Sequence, residues 1–239
     1  MNIFFKKLRL LVVFYLLAMS SLANSQNMQT EMADFINGFH NFKQFNGNVL
    51  VAKDEKILFE QSFGYANFEW EIRHSNKSKF RIGSITKQFT AMLILQLAQD
   101  GKLKLDDHLA TYLPDYRKDI ATKITLRQIL NHTSGLGNYT QAKSFRDEYS
   151  RNPYSVDEFI RLLCSDDLVF EPGTEFRYSN SGYFILGAVI EKVTGQKYQD
   201  VLQKNILDPL DMKDTGYDSH NKIIKFRVSG YDNGLAGYS

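Results

Sequence analysis

The chain has 239 residues, 43% hydrophobic and 23% charged, a composition that supports a packed core and excludes a disordered or collagen-like chain. Its formal charge of +2 falls to −1 if the basic leader residues Lys6, Lys7 and Arg9 are removed, so no basic surplus remains to track a phosphate backbone and nucleic acid is not an expected partner. A single cysteine, Cys164, excludes an internal disulfide framework, and five scattered histidines form no HExxH pattern, so neither a metal nor a cofactor is expected.

At the start of the chain, Lys6, Lys7 and Arg9 precede an uncharged run from Leu10 to Met19, followed by the small residues Ser20, Ser21 and Ala23. This is the layout of a secretory leader over residues 1–25, too short in its apolar part to span a bilayer. The mature chain, 26–239, is then expected as one domain, secreted or periplasmic, with no membrane span.

Apolar residues at helical spacing between Thr30 and Phe42 predict a first amphipathic helix. Two β-rich runs, Gly47–Lys53 and Lys56–Tyr65, flank Asp54 and Glu55 and read as a β-hairpin. From Ser84 to Asp100 the pattern turns helical, apolar around much of its circumference and stopped by Gly101, so this helix is expected to be buried. Beyond it come short helices. Thr125 is placed to cap one through Leu130, and Ser155 with Glu158 forms a capping-box pattern. Glu171-Pro172-Gly173-Thr174 is a turn, Tyr183–Val193 a helix stopped at Gly195, and Tyr198–Leu207 another before Pro209. The order predicts an α+β fold, a helical region packed on a small antiparallel sheet.

Two short patterns carry chemistry. Ser84-Ile85-Thr86-Lys87 is S-x-x-K at a helix start, where i and i+3 share a face and the Lys87 amine can reach the Ser84 hydroxyl and accept its proton. A second copy, Ser219-His220-Asn221-Lys222, matches the roughly 1.4 occurrences that chance delivers and has no apolar helix behind it. Tyr178-Ser179-Asn180 is rarer by chance. Its phenol can relay a proton and its carboxamide can accept from an ammonium or hold a substrate amide. The plainer alternative is a helix-start turn with Asn180 as its cap. Tyr65-Ala66-Asn67 has a similar shape but ends a strand, which favours a structural role.

Together, Phe80-Arg81-Ile82-Gly83-Ser84-Ile85-Thr86-Lys87, Leu130-Asn131-His132-Thr133-Ser134-Gly135-Leu136, and Glu171-Pro172-Gly173 through Tyr178-Ser179-Asn180 give a chain that resembles the serine β-lactamase and penicillin-binding-protein-like superfamily. The branch is that of class C β-lactamases, D-alanyl-D-alanine carboxypeptidases and related esterases. The resemblance implies Ser84 as acylated nucleophile, Lys87 as proton acceptor, Tyr178 as general acid/base, and Asn180 as the group orienting Lys87 and the substrate amide. It implies a small-molecule or peptide substrate with an amide, lactam or ester carbonyl. Which of Lys87 and Tyr178 takes the first proton stays open, as does oligomeric state. His132 is expected to shape the site, not to serve as a triad base, and no G-x-S-x-G elbow supports a conventional Ser-His-Asp hydrolase.

The family's third motif, Lys or His, a variable residue, then Gly, does not follow Asn180; Lys192-Val193-Thr194-Gly195 misses it by one residue. The expectation is a chain lacking the family's C-terminal strands and helix, with an open hairpin edge and one oxyanion donor short. Loss of one such donor slows acyl transfer on the order of 10² to 10³. Weak activity, or a catalytically dead binding module with the same pocket, is therefore expected for this chain.

Overall fold

The computed structural model describes residues 27–142, 145–149, 152–219, 221–231, 233–234 and 237–238. The leader read over residues 1–25 lies outside them, as does His220 of the second S-x-x-K pattern. The described residues form two compact units, one running up to Phe80 and resuming at Ser219, the other Arg81–Asp218.

In the first unit, helix α1 covers 27–41. Strands β1 (Gly47–Lys53) and β2 (Lys56–Phe63) pair antiparallel, with Lys53 opposite Lys56. Asp54 and Glu55 both take positive φ, 49° and 62°, the geometry that a two-residue hairpin loop needs to match strand twist. Phe59 and Phe63 point inward and are buried, while Leu50 and Ile57 are exposed. Two further short ladders accompany the hairpin: β3 (Tyr65–Asn67) with β4 (Ile72–Arg73), and β5 (Asn233–Gly234) with β6 (Gly237–Tyr238). The Asn67 side chain accepts the Trp70 N–H at 2.6 Å and closes the β3–β4 turn, a structural use of the Tyr65-Ala66-Asn67 triplet. The late segment returns to this unit: Val228 N–H donates to Lys79 O, Ser229 N–H to Ala66 O, and the Tyr231 hydroxyl accepts the Phe68 N–H while donating to Glu69.

The second unit is helical. A 3₁₀ turn, Gly83–Ile85, leads into α2 (Thr86–Gln99); α3 (Lys118–Ala121), α4 (Leu126–Leu130), α5 (Val156–Leu163), α6 (Asn180–Thr194) and α7 (Tyr198–Leu202) follow. Both capping boxes form. Thr125 and Ser155 each accept the N–H three residues on, and Gln128 and Glu158 answer to the cap backbone. The helical run after Lys197 changes pitch at Gln203, continuing to Leu207 as a π-helix.

Helix α6 is the axis of this unit. Ile185, Leu186, Val189 and Ile190 are fully buried, in contact with α2, α4, α5 and α7. A Cβ at Gly182 would sit 3.0 Å from Ile129, which is why α4 and α6 approach so closely there. The helix ends at Gly195, left-handed at φ 66°. One expectation needs correction: α2 is not buried all round. Thr90, Leu93, Ile94 and Leu97 face the core, but Met92 and Leu95 are exposed, as is Ile85 in the turn before the helix. An apolar sequence of this kind reports hydrophobicity around the helix, whereas burial requires a neighbour on each side, and the elements that pack on α2, which are α6, α7 and the run Gln203–Leu207, leave Met92 and Leu95 uncovered.

Candidate active site

Ser84 occupies the 3₁₀ turn that opens α2, and Lys87 lies in the first turn of that helix, so both side chains emerge on one face. Lys87 Nζ donates to Ser84 Oγ at 3.3 Å. The Ser84 hydroxyl is also 2.6 Å from the phenolic oxygen of Tyr178, in a bond that either atom can donate. Asn180, the first residue of α6, offers its Oδ1 to Lys87 Nζ at 2.6 Å. The helix cap is Ser179, not Asn180: Ser179 Oγ accepts the Gly182 N–H and donates to Gly137 O at 2.6 Å, leaving the Asn180 carboxamide free to face the lysine.

The Lys87 ammonium also lies 4.7 Å from the ring centroid of Tyr178 and 5.5 Å from that of Tyr183, whose hydroxyl is anchored to Leu130 O. Burial pushes the Tyr178 phenol upward, but its contacts with Lys87 and Ser84 and the lysine charge outweigh that, leaving it below the ordinary phenol range. Ser84 is open to solvent and Tyr178 is 40% exposed, so a substrate can reach both.

The segment leading to Tyr178 is held by the Leu130–Leu136 block. After α4 the backbone turns left-handed at His132, φ 63°, and again at Gly135, φ 79°. Carbonyls exposed by this path accept N–H groups from the facing segment: His132 O from Arg177, Thr133 O from Gly173, and Gly135 O from Val169. A Cβ on Gly135 would fall 2.3 Å from the Phe170 carbonyl oxygen, so only glycine permits the approach. The His132 ring lies 4.7 Å from Tyr178 and 5.1 Å from Tyr183, and its Nδ1 accepts the Ser179 N–H. Burial, then the Lys87 charge, lowers its pKa, consistent with a neutral ring that packs and accepts.

Thus Ser84, Lys87, Tyr178 and Asn180, named from two separated stretches of sequence, come together in one cluster. Ser219 and Lys222 of the other S-x-x-K copy belong to the other compact unit, with Ser219 Oγ accepting the Asn221 N–H in a turn. Sequence reasoning did not single out Tyr183, Asn138 or Thr140, which the structure brings to the same cluster. The spacing of Tyr183 gave a signal, since it follows Asn180 by three residues on the helix. Asn138 and Thr140 lie in a loop without periodicity.

A cleft of about 390 Å³ elsewhere in this unit, lined by residues including Arg117, Lys123, Asp167 and Phe170, contains none of the cluster. Among the described residues no group of three or more His, Cys, Asp or Glu converges as a metal site, and no helix is long and apolar enough to cross a membrane.

The Beta-lactamase family model matches residues 39–237. Protein flp of Staphylococcus aureus (strain MRSA252) is 32% identical over 189 residues, which cover 77% of this chain and 37% of flp. The structure of a penicillin-binding protein from Bacillus halodurans superposes with a TM-score of 0.74 at 28% identity, over 85% of this chain and 62% of that one. A D-amino acid amidase from Ochrobactrum anthropi SV3, complexed with L-phenylalanine amide, gives 0.67 at 30% identity, over 83% and 56%. The chain spans less than two fifths of the length of the curated relatives it matches.

Proposed function

The chain belongs to the beta-lactamase family of serine hydrolases, and from that membership we propose that it is an exported acyl hydrolase whose nucleophile is Ser84. The substrate carries an amide, lactam or ester carbonyl. Ser84 Oγ attacks the carbonyl carbon while its proton passes to the phenolate of Tyr178. The tetrahedral intermediate collapses, the bond to the leaving amine or alcohol breaks, and Tyr178 returns the proton to that leaving group. Water then attacks the acyl-enzyme by the reverse relay, releasing the acid and restoring Ser84.

Tyr178 is favoured over Lys87 as the immediate acceptor because its oxygen is nearer to Ser84 Oγ, 2.6 Å against 3.3 Å. Lys87 supplies the positive charge that favours the phenolate, and Asn180 holds Lys87. The observation that carries this reading is the meeting of hydroxyl, phenol, amine and carboxamide at one solvent-accessible point. Export rests on the leader pattern of residues 1–25.

A second reading is a binding module that keeps the pocket without the chemistry. Incubation with a fluorescent penicillin and with a fluorophosphonate, followed by intact mass, separates the two. A covalent adduct on folded protein supports the hydrolase; saturable binding with no adduct supports the module.

A further inference from the structure

We infer that Asn138 is a positioning residue, which fixes the Asn180 carboxamide so that its oxygen, and not its NH₂ group, faces Lys87. The two ends of a carboxamide have nearly the same shape, so something outside Asn180 must choose between them. The choice matters because Asn180 and Lys87 Nζ approach to 2.6 Å. Only an oxygen tolerates that approach to an ammonium; an NH₂ group would set donor against donor.

The orientation can be traced from groups with no freedom to flip. Backbone N–H groups are donors under all conditions. Asn138 Oδ1 faces two of them, the N–H of Asn180 at 3.3 Å and the N–H of Thr140 at 3.4 Å, which identifies that atom as the Asn138 oxygen. The Asn180 side-chain nitrogen lies 3.1 Å from the same Oδ1, and an oxygen there demands a donor. The Thr140 hydroxyl donates to Asn138 Oδ1 at 3.0 Å, so its own lone pairs are left to accept from Asn180 Nδ2 at 3.3 Å. Both neighbours of the Asn180 NH₂ are thus acceptors, and the remaining end, the oxygen, points at Lys87.

The loop that carries Asn138 is itself pinned to the start of α6 on both sides. Ser179 Oγ donates to Gly137 O at 2.6 Å, and the Tyr139 N–H donates to Ser181 Oγ at 3.0 Å. Ser179 and Ser181 are buried, so these anchors are shielded from water. Asn138 touches neither Lys87 nor Ser84 in the hydrogen-bond network; it acts through Asn180. The catalytic consequence rests on the acyl-transfer reading above, but the orientation itself does not.

The test uses the full chain labelled with ¹⁵N-asparagine, as wild type, Asn138→Ala, Asn138→Asp and Thr140→Val. One measurement is exchange of the Asn180 NH₂ protons with water; the other is the rate of acylation by a fluorophosphonate. Asn138→Ala is expected to speed that exchange by about tenfold or more, the factor that one lost hydrogen bond of about 1.4 kcal/mol implies, and to slow acylation comparably. Asn138→Asp keeps an accepting oxygen and is expected to retain slow exchange. Thr140→Val, which keeps volume but loses the hydroxyl, is expected to fall between, and it decides the matter if Asn138→Ala does not fold. Unchanged exchange in the alanine or valine variant overturns the inference. A wild type that is never acylated defeats the hydrolase reading alone, because exchange still reports the orientation.

Discussion

The phenolic oxygen of Tyr178 sits 2.6 Å from the hydroxyl of Ser84, although 94 residues separate them in the chain. That contact joins the turn before α2 to the turn before α6, and the two helices also pack on each other. The proposed nucleophile and its proposed proton acceptor are therefore mounted on two rigid elements that share one core.

On the proposed mechanism, the ionisation of Tyr178 sets the pH response of acylation. Burial raises the phenol, but Lys87 and Ser84 bring it below its ordinary value of about 10. If the phenolate accepts the Ser84 proton, acylation rises with pH and reaches half its maximum below about pH 10. Stopped-flow acylation across pH 6 to 11 checks this. A half-point at or above that of free tyrosine would remove Tyr178 as the base.

His132 couples pH to stability. Its pKa is lowered by burial and by Lys87, so the unfolded chain binds its proton first as pH falls. The sign follows: its contribution is complete above the unfolded value of about 6.5 and declines as pH drops below it. His74, lowered by burial, adds in the same direction. His132→Asn, which tolerates the positive φ at this position, is expected to flatten the fall in melting temperature between pH 8 and pH 5 relative to wild type. Parallel curves would contradict the assignment.

Gly135→Ala forces two conflicts, a left-handed backbone and a methyl 2.3 Å from the Phe170 carbonyl. Strain of this kind costs roughly 1–3 kcal/mol or more. Because the Gly135 carbonyl accepts from Val169 in the segment that leads to Tyr178, acylation should weaken along with urea stability. A variant as stable as wild type would show that the loop relaxes freely.

Cys164 is 3% exposed, and burial pushes its thiol up to about 12. Iodoacetamide at pH 8 is expected to leave the folded protein unmodified and to alkylate one thiol in urea. Rapid alkylation without denaturant would mean that the α5 end opens locally.

Much of the fold was legible because its signals are local. The Asp54-Glu55 break between β-rich runs gave the hairpin, and Thr125 and Ser155 gave helix starts through side-chain to backbone bonds that span three residues. What no local signal carries is the packing of one element on another. The exposure of Met92 and Leu95 follows from which elements pack on α2, and no periodicity within α2 reports that. The Ser84–Lys87 contact follows from i, i+3 spacing, but the approach of Tyr178 and Asn180 was suggested by resemblance and not by any local rule. Asn138 carries no local signal of its role, because a loop asparagine reads as a turn former and only the three-dimensional course of residues 132–140 brings it to α6.

The most direct test of Ser84 and Tyr178 as the proposed acylating unit is a mass-spectrometric time course with peptide mapping after addition of a fluorophosphonate. One added group is expected on the peptide that contains Ser84 and none in Ser84→Ala, and the rate is expected to fall by about 10² to 10⁴ in Tyr178→Phe, with its melting temperature nearly unchanged. Modification at another residue, or labelling of Tyr178→Phe at the wild-type rate, would contradict it.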